Sequence, residues 1–313
     1  TLLITRPLPE PVLAEARALA DVTIRDTNVP MTEAEMTEAM GAYDMILPTL
    51  GDACSAATMS ADARCRLLAN FGVGYNHIDA AAAAEAGIAV SNTPGAVTDA
   101  TADIALMLML MTCRRAGEGE RMVRAGEWSG WHPTQMLGLH MSGKTVGIVG
   151  MGRIGQAIAK RCHFGFGMNV IFYNRSQKDV DMPARQTETL ADCMGGADVV
   201  VLAIPGGPAT RHLINADALA AMQPPAHLEN IARGDVKDET ALNAAHTDGS
   251  IAGAGLDVYE FEPAVPEALV AMENVVLLPH LGTAALEVRT SMGMMAVDNV
   301  RAFVAGEALP NAV

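Results

Sequence analysis

Along the first ninety residues, short apolar runs alternate with stretches whose apolar positions recur at helical spacing. Residues 2–5 read as a buried strand followed by a helix over 11–19, and residues 22–24 as a strand followed by a helix over 32–40. Residues 44–48 and 67–71 are further strands. Residues 78–86 form a helix closed by Gly87, and residues 88–90 are the next strand. Short apolar strands spaced by helices predict parallel pairing in an open, twisted sheet. Asn92-Thr93-Pro94-Gly95 breaks the pattern as a crossover, and Thr98 is placed to cap a long apolar helix reaching about Arg115.

Residues 115–144 read as loop-rich and carry both tryptophans, Trp128 and Trp131. A second series then begins, with strands predicted over 145–149, 169–173, 198–203, 227–231, 251–256 and 275–278. The final amphipathic run, 284–305, follows a sheet already complete at six strands, so its economical place is back against the first domain. The fold class is α/β, with two doubly wound parallel-sheet domains of Rossmann or flavodoxin type and an interdomain cleft. One domain spans 1–94 and is completed by 283–313. The other spans 95–282 and carries the arm at about 115–144.

Composition narrows the function classes. Half of the 313 residues are apolar and 18% are charged, enough for two cores. A net charge of −15 speaks against a nucleic-acid groove or an anionic membrane surface as partner. The apolar stretch 104–111 is too short to span a bilayer and lies between Asp103 and Arg114. No basic leader precedes the first strand, and the cysteines at 54, 65, 113, 162 and 193 are odd in number and lack C-x-x-C spacing. Both point to reduced thiols in the cytoplasm. No metal-ligand spacing appears.

The strand over 145–149 runs directly into Gly150-Met151-Gly152-Arg153-Ile154-Gly155 and then a helical run. This is the G-x-G-x-x-G dinucleotide fingerprint in its strand–turn–helix setting. Its glycines allow the tight turn, the approach of backbone to a pyrophosphate, and close packing of helix on strand. The domain holding it is the dinucleotide-binding one, which leaves the first domain for substrate. Ligands of doubly wound sheets bind beyond the carboxyl ends of the strands. There the sequence offers Gly72-Val73-Gly74, whose N–H groups suit a carboxylate, then Arg233, Asp257 with Glu262, and His280. A cationic fork, a carboxylate and an imidazole beside a nicotinamide suit hydride transfer to a 2-keto acid. The fork grips carboxylate and carbonyl, the imidazole donates a proton to the new alkoxide, and the carboxylate orients the imidazole and raises its pKa.

These segments, together with residues 70–79, 114–119, 230–235, 255–263 and 279–283, resemble the D-isomer-specific 2-hydroxyacid dehydrogenases. The branch they look most like is that of glyoxylate/hydroxypyruvate reductase and glycerate dehydrogenase, and the likeness covers essentially the whole chain. The resemblance implies that Arg233 binds substrate carboxylate and carbonyl, that His280 is the acid/base and that Glu262 supports it. It implies that the Val73 and Gly74 amides receive the carboxylate and that Leu50 lines the pocket. Asp257 would hold the nicotinamide carboxamide, with Thr101 near cofactor and substrate. Gly150, Gly152, Arg153, Ile154, Gly155, Ile231, Ala232, His280 and Gly282 complete the cofactor set. The product would be the D-2-hydroxy acid of glyoxylate or hydroxypyruvate. The rivals are a formate dehydrogenase-like transfer, which needs no acid/base pair, and a non-catalytic, dinucleotide-sensing corepressor-type protein.

Where an NAD enzyme usually carries Asp or Glu, this chain has Asn174-Arg175-Ser176, a guanidinium and a hydroxyl suited to a 2′-phosphate. NADP(H) is therefore favoured, with NAD(H) also possible. The resemblance implies a two-fold homodimer joined through the arm, with Trp131 reaching the neighbour's substrate pocket. Two features fit less well. Pro224-Pro225 precedes a strand, although in a turn where Pro is tolerated. Glu229 lies inside the predicted buried strand 227–231, where the family usually has an apolar residue. Either it faces a polar edge or its pKa is raised, unless the residue itself is in error.

Overall fold

The computed structural model describes residues 1–313, which divide into two compact units, Thr1–Val97 with Thr283–Val313, and Thr98–Gly282. The first unit begins β1 (Leu2–Ile4), α1 (Glu10–Leu19), β2 (Val22–Ile24), α2 (Glu33–Ala42), β3 (Met45–Leu47), β4 (Leu67–Ala69), α3 (Ala80–Glu85) and β5 (Ala89–Ser91). Helix starts follow local chemistry. Thr32 and Glu35 form a reciprocal capping box on α2, and the Asp79 carboxylate caps α3.

The second unit runs α4 (Thr98–Cys113), α5 (Ala116–Arg124), β6 (Thr145–Val149), α6 (Arg153–Lys160), β7 (Asn169–Tyr173), β8 (Arg185–Gln186), α7 (Leu190–Gly195), β9 (Val199–Leu202), α8 (Ala216–Ala220), β10 (His227–Asn230), α9 (Glu239–Thr247), β11 (Gly253–Leu256), α10 (Glu267–Val270) and β12 (Val275–Leu277). The last helix, α11 (Leu286–Ala305), returns to the first unit, as expected. It packs on α1 and β4, where Val12 fills the space a side chain at Gly293 would need.

Both sheets are wholly parallel. The first has the order β2-β1-β3-β4-β5 and the second β12-β11-β10-β9-β6-β7-β8. Their central strands, such as β1, β3, β4 and β9, are apolar and buried on both faces, as expected where helices cover both faces of a parallel sheet. In the second sheet the order reverses between β6 and β9, and the fingerprint turn leaves β6 there, at the point where doubly wound sheets bind ligands.

Three local expectations are corrected. The second sheet has seven strands rather than six, because the two-residue β8 pairs with β7 and carries too little pattern to be seen. Thr98 is the first residue of α4 rather than its cap. The arm is not all loop, since Ala116–Arg124 is helical, entered through Arg115 in a left-handed conformation (φ 53°) and an Arg115–Glu118 ion pair of 2.7 Å. Gly117 and Gly119 lower its helix propensity, while Glu118 in the first turn and Arg121 and Arg124 in the last suit the helix dipole. No helix is long and apolar enough to cross a membrane.

Candidate active site

The turn after β10 is built by Asn230, which is fully buried. Its Oδ1 accepts the Ala232 N–H at 3.0 Å and its Nδ2 donates to the Arg233 carbonyl at 2.9 Å. Ile231 and Ala232 are buried beside it, and Arg233 continues in extended backbone with its Nη1 donating to the Ala232 carbonyl at 2.6 Å. Gly206, after β9, lies against the Arg233 stem, where a Cβ would come within 2.7 Å of Arg233 Cγ. Burial draws the Arg233 pKa down, and the charges of Glu262 and Asp235 oppose it. Gly234 presses on the next strand-end loop so closely that a Cβ would lie 1.8 Å from the Tyr259 carbonyl carbon. Only glycine allows these two loops to meet.

On that second loop, Glu262 Oε1 accepts the Tyr259 N–H at 3.0 Å, and Oε2 lies 2.9 Å from His280 Nδ1. Burial pushes the Glu262 carboxyl up, but the His280 hydrogen bond and charge, the Tyr259 N–H and Arg233 outweigh it and hold it below the usual range. Both side chains of the pair are 30% exposed, so the imidazole is accessible. Facing an ionised carboxylate, Nδ1 carries a proton, which leaves Nε2 as the nitrogen turned to chemistry. His280 has φ 55°, an uncommon conformation for a residue with a side chain.

Asp257 holds that conformation in place. Its Oδ1 accepts the Leu281 N–H at 2.6 Å and its Oδ2 the Gly282 N–H at 2.8 Å, while Thr101 Oγ1 donates to the Gly282 carbonyl at 3.2 Å. Burial raises the Asp257 pKa, against the two amides and His280. In the structure the Asp257 carboxylate thus clamps the His280 loop, a contact the sequence did not indicate. The structure brings Arg233, Asp257, Glu262, His280, Thr101 and Gly282 together in one unit.

A further set escaped the sequence reading. Lys237 is fully buried, with Nζ 2.9 Å from Glu239 Oε1, and the same oxygen accepts the Glu260 N–H at 3.0 Å. Glu260 in turn takes Arg211 at 2.7 Å and His212 Nε2 at 2.9 Å. This network ties the segment after Arg233 to the loop before Glu262. Lys237 stands among charged residues, Asp235, Asp238 and Glu239, so nothing in the sequence marked it as buried.

The fingerprint glycines each have a physical reason. Gly150 adopts φ 103°, and a Cβ on Gly155 would lie 2.0 Å from the Gly150 carbonyl oxygen. Gly152 instead faces open space, with no atom within 4 Å of its Cβ position. That opening, at the start of α6 beside exposed Arg153 and half-buried Ile154, fits a pyrophosphate. Asn174, after β7, accepts the Met151 N–H at 3.3 Å, and exposed Arg175 and Ser176 follow it.

Leu50, Val73 and Gly74 belong to the first unit. Arg6 Nη1 donates to the Leu50 carbonyl at 2.7 Å, and buried Asp52 accepts the Thr49 and Met31 N–H groups, fixing the loop after β3. After β4, Asn70 Nδ2 donates to the Gly72 and Gly74 carbonyls and Asn92 Nδ2 to that of Val73. With those carbonyls occupied, the Val73 and Gly74 N–H groups remain as the donors of this turn. Trp131 lies on the arm and is 80% exposed.

Glu229 lies inside β10, fully buried against α4 and β11. Thr112 Oγ1 is 2.6 Å from its Oε1, and a Cβ on Gly255 would lie 1.9 Å from its Oε2. Full burial rules out a polar edge, and it pushes the pKa up to about 8 against the Thr112 hydrogen bond, while Oε2 has no hydrogen-bond partner.

The family model for the D-isomer specific 2-hydroxyacid dehydrogenase NAD-binding domain matches residues 106–282. The chain is 40% identical to the glyoxylate reductase of Thermococcus kodakarensis over 99% of its length and 95% of the relative's. It is also 40% identical to the glyoxylate reductase of Pyrococcus furiosus, over 99% and 94%. Among solved structures, the NADPH-dependent glyoxylate/hydroxypyruvate reductase of Sinorhizobium meliloti, with NADP and malonate, aligns at 34% identity and a TM-score of 0.89 over 100% of this chain and 96% of that one. With two parallel-sheet units, the fingerprint at the switch point and this breadth of match, the chain belongs to the D-isomer-specific 2-hydroxyacid dehydrogenase family.

Proposed function

We propose that this protein reduces glyoxylate to glycolate, or hydroxypyruvate to D-glycerate, with NAD(P)H. The observation that carries the reading is the Glu262–His280 hydrogen bond of 2.9 Å, on a loop in backbone contact with the Arg233 turn. A bound reduced nicotinamide supplies the hydride. The Arg233 fork grips the carboxylate and carbonyl of the substrate, and the Val73 and Gly74 amides add donors to the carboxylate. His280 gives the Nε2 proton to the carbonyl oxygen as it becomes a hydroxyl, and Glu262 stabilises the imidazole while it is charged. A formate oxidation releases no alkoxide proton, so it would leave this pair without a task.

For the cofactor we favour NADPH. Arg175 makes no ion pair, and no carboxylate occupies the place of the residue that would repel a 2′-phosphate. Exposed Trp128, Trp131 and Leu137 on the arm support a two-fold dimer in which Trp131 helps shape the partner's pocket. Five unpaired, buried thiols suit the cytoplasm.

Following absorbance at the nicotinamide band with a panel of 2-keto acids tests the reading. Glyoxylate and hydroxypyruvate should give the highest kcat/KM, and a flat panel would defeat the substrate class. Replacing Arg175 by Ala should raise the KM for NADPH about tenfold and that for NADH little, since one charged hydrogen-bonding partner is lost.

A further inference from the structure

The loop that follows β7 is held by a residue to which no motif points. Gln186, on β8, donates from Nε2 to the carbonyls of Asn174 and Ser176, both at 3.1 Å. Its Oε1 accepts the Lys178 N–H at 3.0 Å. One side-chain amide therefore satisfies three backbone groups across residues 174–178. Asn174 closes the same loop from the other side, with Nδ2 donating to the Ser176 carbonyl at 2.9 Å and to Ser176 Oγ at 3.2 Å. Its Oδ1 takes the Met151 N–H of the fingerprint turn, so the loop is registered against the turn that cradles the pyrophosphate.

The anchor for this arrangement is β8 itself. It pairs in parallel with β7, with Phe172 opposite Gln186, and the next residue, buried Thr187, donates its N–H to the Phe172 carbonyl at 2.8 Å. Gln186 is thus fixed at its backbone and reaches along the end of β7. Meanwhile Arg175 and Lys178, both exposed, are paired to no carboxylate. Their cationic heads project from a backbone that is tied at three points, while β8 would otherwise be a two-residue strand of no evident use.

We propose that Gln186 is a positioning residue for dinucleotide selectivity. It holds the 174–178 loop in the shape that presents Arg175, Ser176 and Lys178 to the phosphate of a 2′-phosphorylated ribose. The gain is preorganisation: donors already in place bind the phosphate without the entropy of ordering the loop first. This rests on the reading of Arg175 and Ser176 as the 2′-phosphate site, and adds the residue that makes that site.

The test is direct binding of NADP+ and NAD+, followed by calorimetry, to the full-length protein and to its Gln186→Leu, Gln186→Glu and Arg175→Ala variants. Gln186→Leu keeps the bulk and loses all three hydrogen bonds, so the ratio of the Kd for NADP+ to that for NAD+ should rise about 5–20-fold. Gln186→Glu keeps the acceptor for Lys178 but sets a charge against two carbonyls, and should shift the ratio further. Hydrogen exchange at the Lys178 amide should quicken in Gln186→Leu, a readout independent of any ligand. If Arg175→Ala changes the ratio and Gln186→Leu leaves it unchanged, the proposal is overturned while the cofactor reading stands. If Arg175→Ala and Gln186→Leu both leave it unchanged, the 2′-phosphate site itself is wrong and both fall. A shift in the Gln186 variants without one in Arg175→Ala supports the staple acting through Ser176 and Lys178.

Discussion

Glu262 and Glu229 belong to the same unit and are both driven toward neutrality by burial, yet they end with opposite character. Glu262 is held below the usual carboxylate range, whereas Glu229 is pushed up to about 8. Exposure accounts for part of this, since the Glu262 side chain is 30% exposed and Glu229 is not exposed at all. Partners account for the rest. Beyond the end of β11 the backbone is free of the ladder, so the Tyr259 N–H, His280 and Arg233 are available to a carboxylate. Within β10 the N–H groups on either side are spent on β9 and β11, and Glu229 finds only the Thr112 hydroxyl, its Oε2 being left without a hydrogen-bond partner. A parallel sheet buried on both faces therefore tolerates an ionised carboxylate at its carboxyl edge and a neutral one in its interior.

The comparison breaks most directly at the ionised end. Replacing His280 by Ala removes the proposed proton donor and the main partner of Glu262, and kcat should fall about 10²–10⁴-fold with dinucleotide affinity little altered. Stopped-flow turnover with glyoxylate, beside an equilibrium titration of cofactor, separates the two effects. A variant that keeps near-full turnover would show the pair to be only a structural contact.

The chemistry at strand ends was more legible in the sequence than the means of holding it. Arg233 and His280 stand within three residues of a strand end and Glu262 in the loop that follows β11, so a rule about where doubly wound sheets bind ligands brings them forward. The fingerprint is legible for the same reason, because each glycine answers a backbone demand. What stayed hidden depends on contacts across distant segments. Asp257 reads in the sequence only as a strand-end acid, and its hold on the Leu281 and Gly282 amides is seen only in the structure. Lys237, Glu239 and Gln186 act on backbone groups, and backbone groups leave no mark in composition. Helix α5 was hidden by Gly117 and Gly119, and β8 by its length of two residues. Glu229 was legible as a misfit, but its state required its burial and the geometry of Thr112.

The interior end can be tested through stability. The folded pKa of Glu229, about 8, lies above its ordinary value of 4.5. The stabilising contribution of the neutral form is then complete below about pH 4.5 and is lost as pH rises through 8. Over that range the loss is on the order of 4 kcal/mol. Glu229→Gln keeps the shape and removes the titration, so its stability should change less between pH 5 and pH 8.5 than that of the parent. Urea unfolding at both pH values measures the difference. Equal slopes for parent and variant would mean that Glu229 is ionised at neutral pH, and the contrast with Glu262 would disappear.

The smallest expected effect sharpens the comparison by removing the one side-chain partner that Glu229 has. Thr112 Oγ1 lies 2.6 Å from Glu229 Oε1 and also 3.0 Å from the Leu108 carbonyl and 3.2 Å from that of Met109. A hydroxyl has a single proton. When that proton goes to the helix carbonyls, the neutral carboxyl donates to Oγ1; when Glu229 ionises, the hydroxyl must turn to serve it instead. Thr112→Val keeps the branched shape and strips out both roles. At pH 6 it should cost about 1–2 kcal/mol, the usual price of a buried hydrogen bond whose partner is left unmet. It should also push Glu229 further up, because the Thr112 hydrogen bond is what pulls its pKa down. The alkaline loss of stability would then continue above pH 8 instead of levelling off there. Combined with Glu229→Gln, the pH-dependent part should vanish and a smaller, pH-independent cost remain. If Thr112→Val shifts stability equally at pH 6 and pH 9, the hydroxyl is only a helix contact, and burial alone sets the state of Glu229.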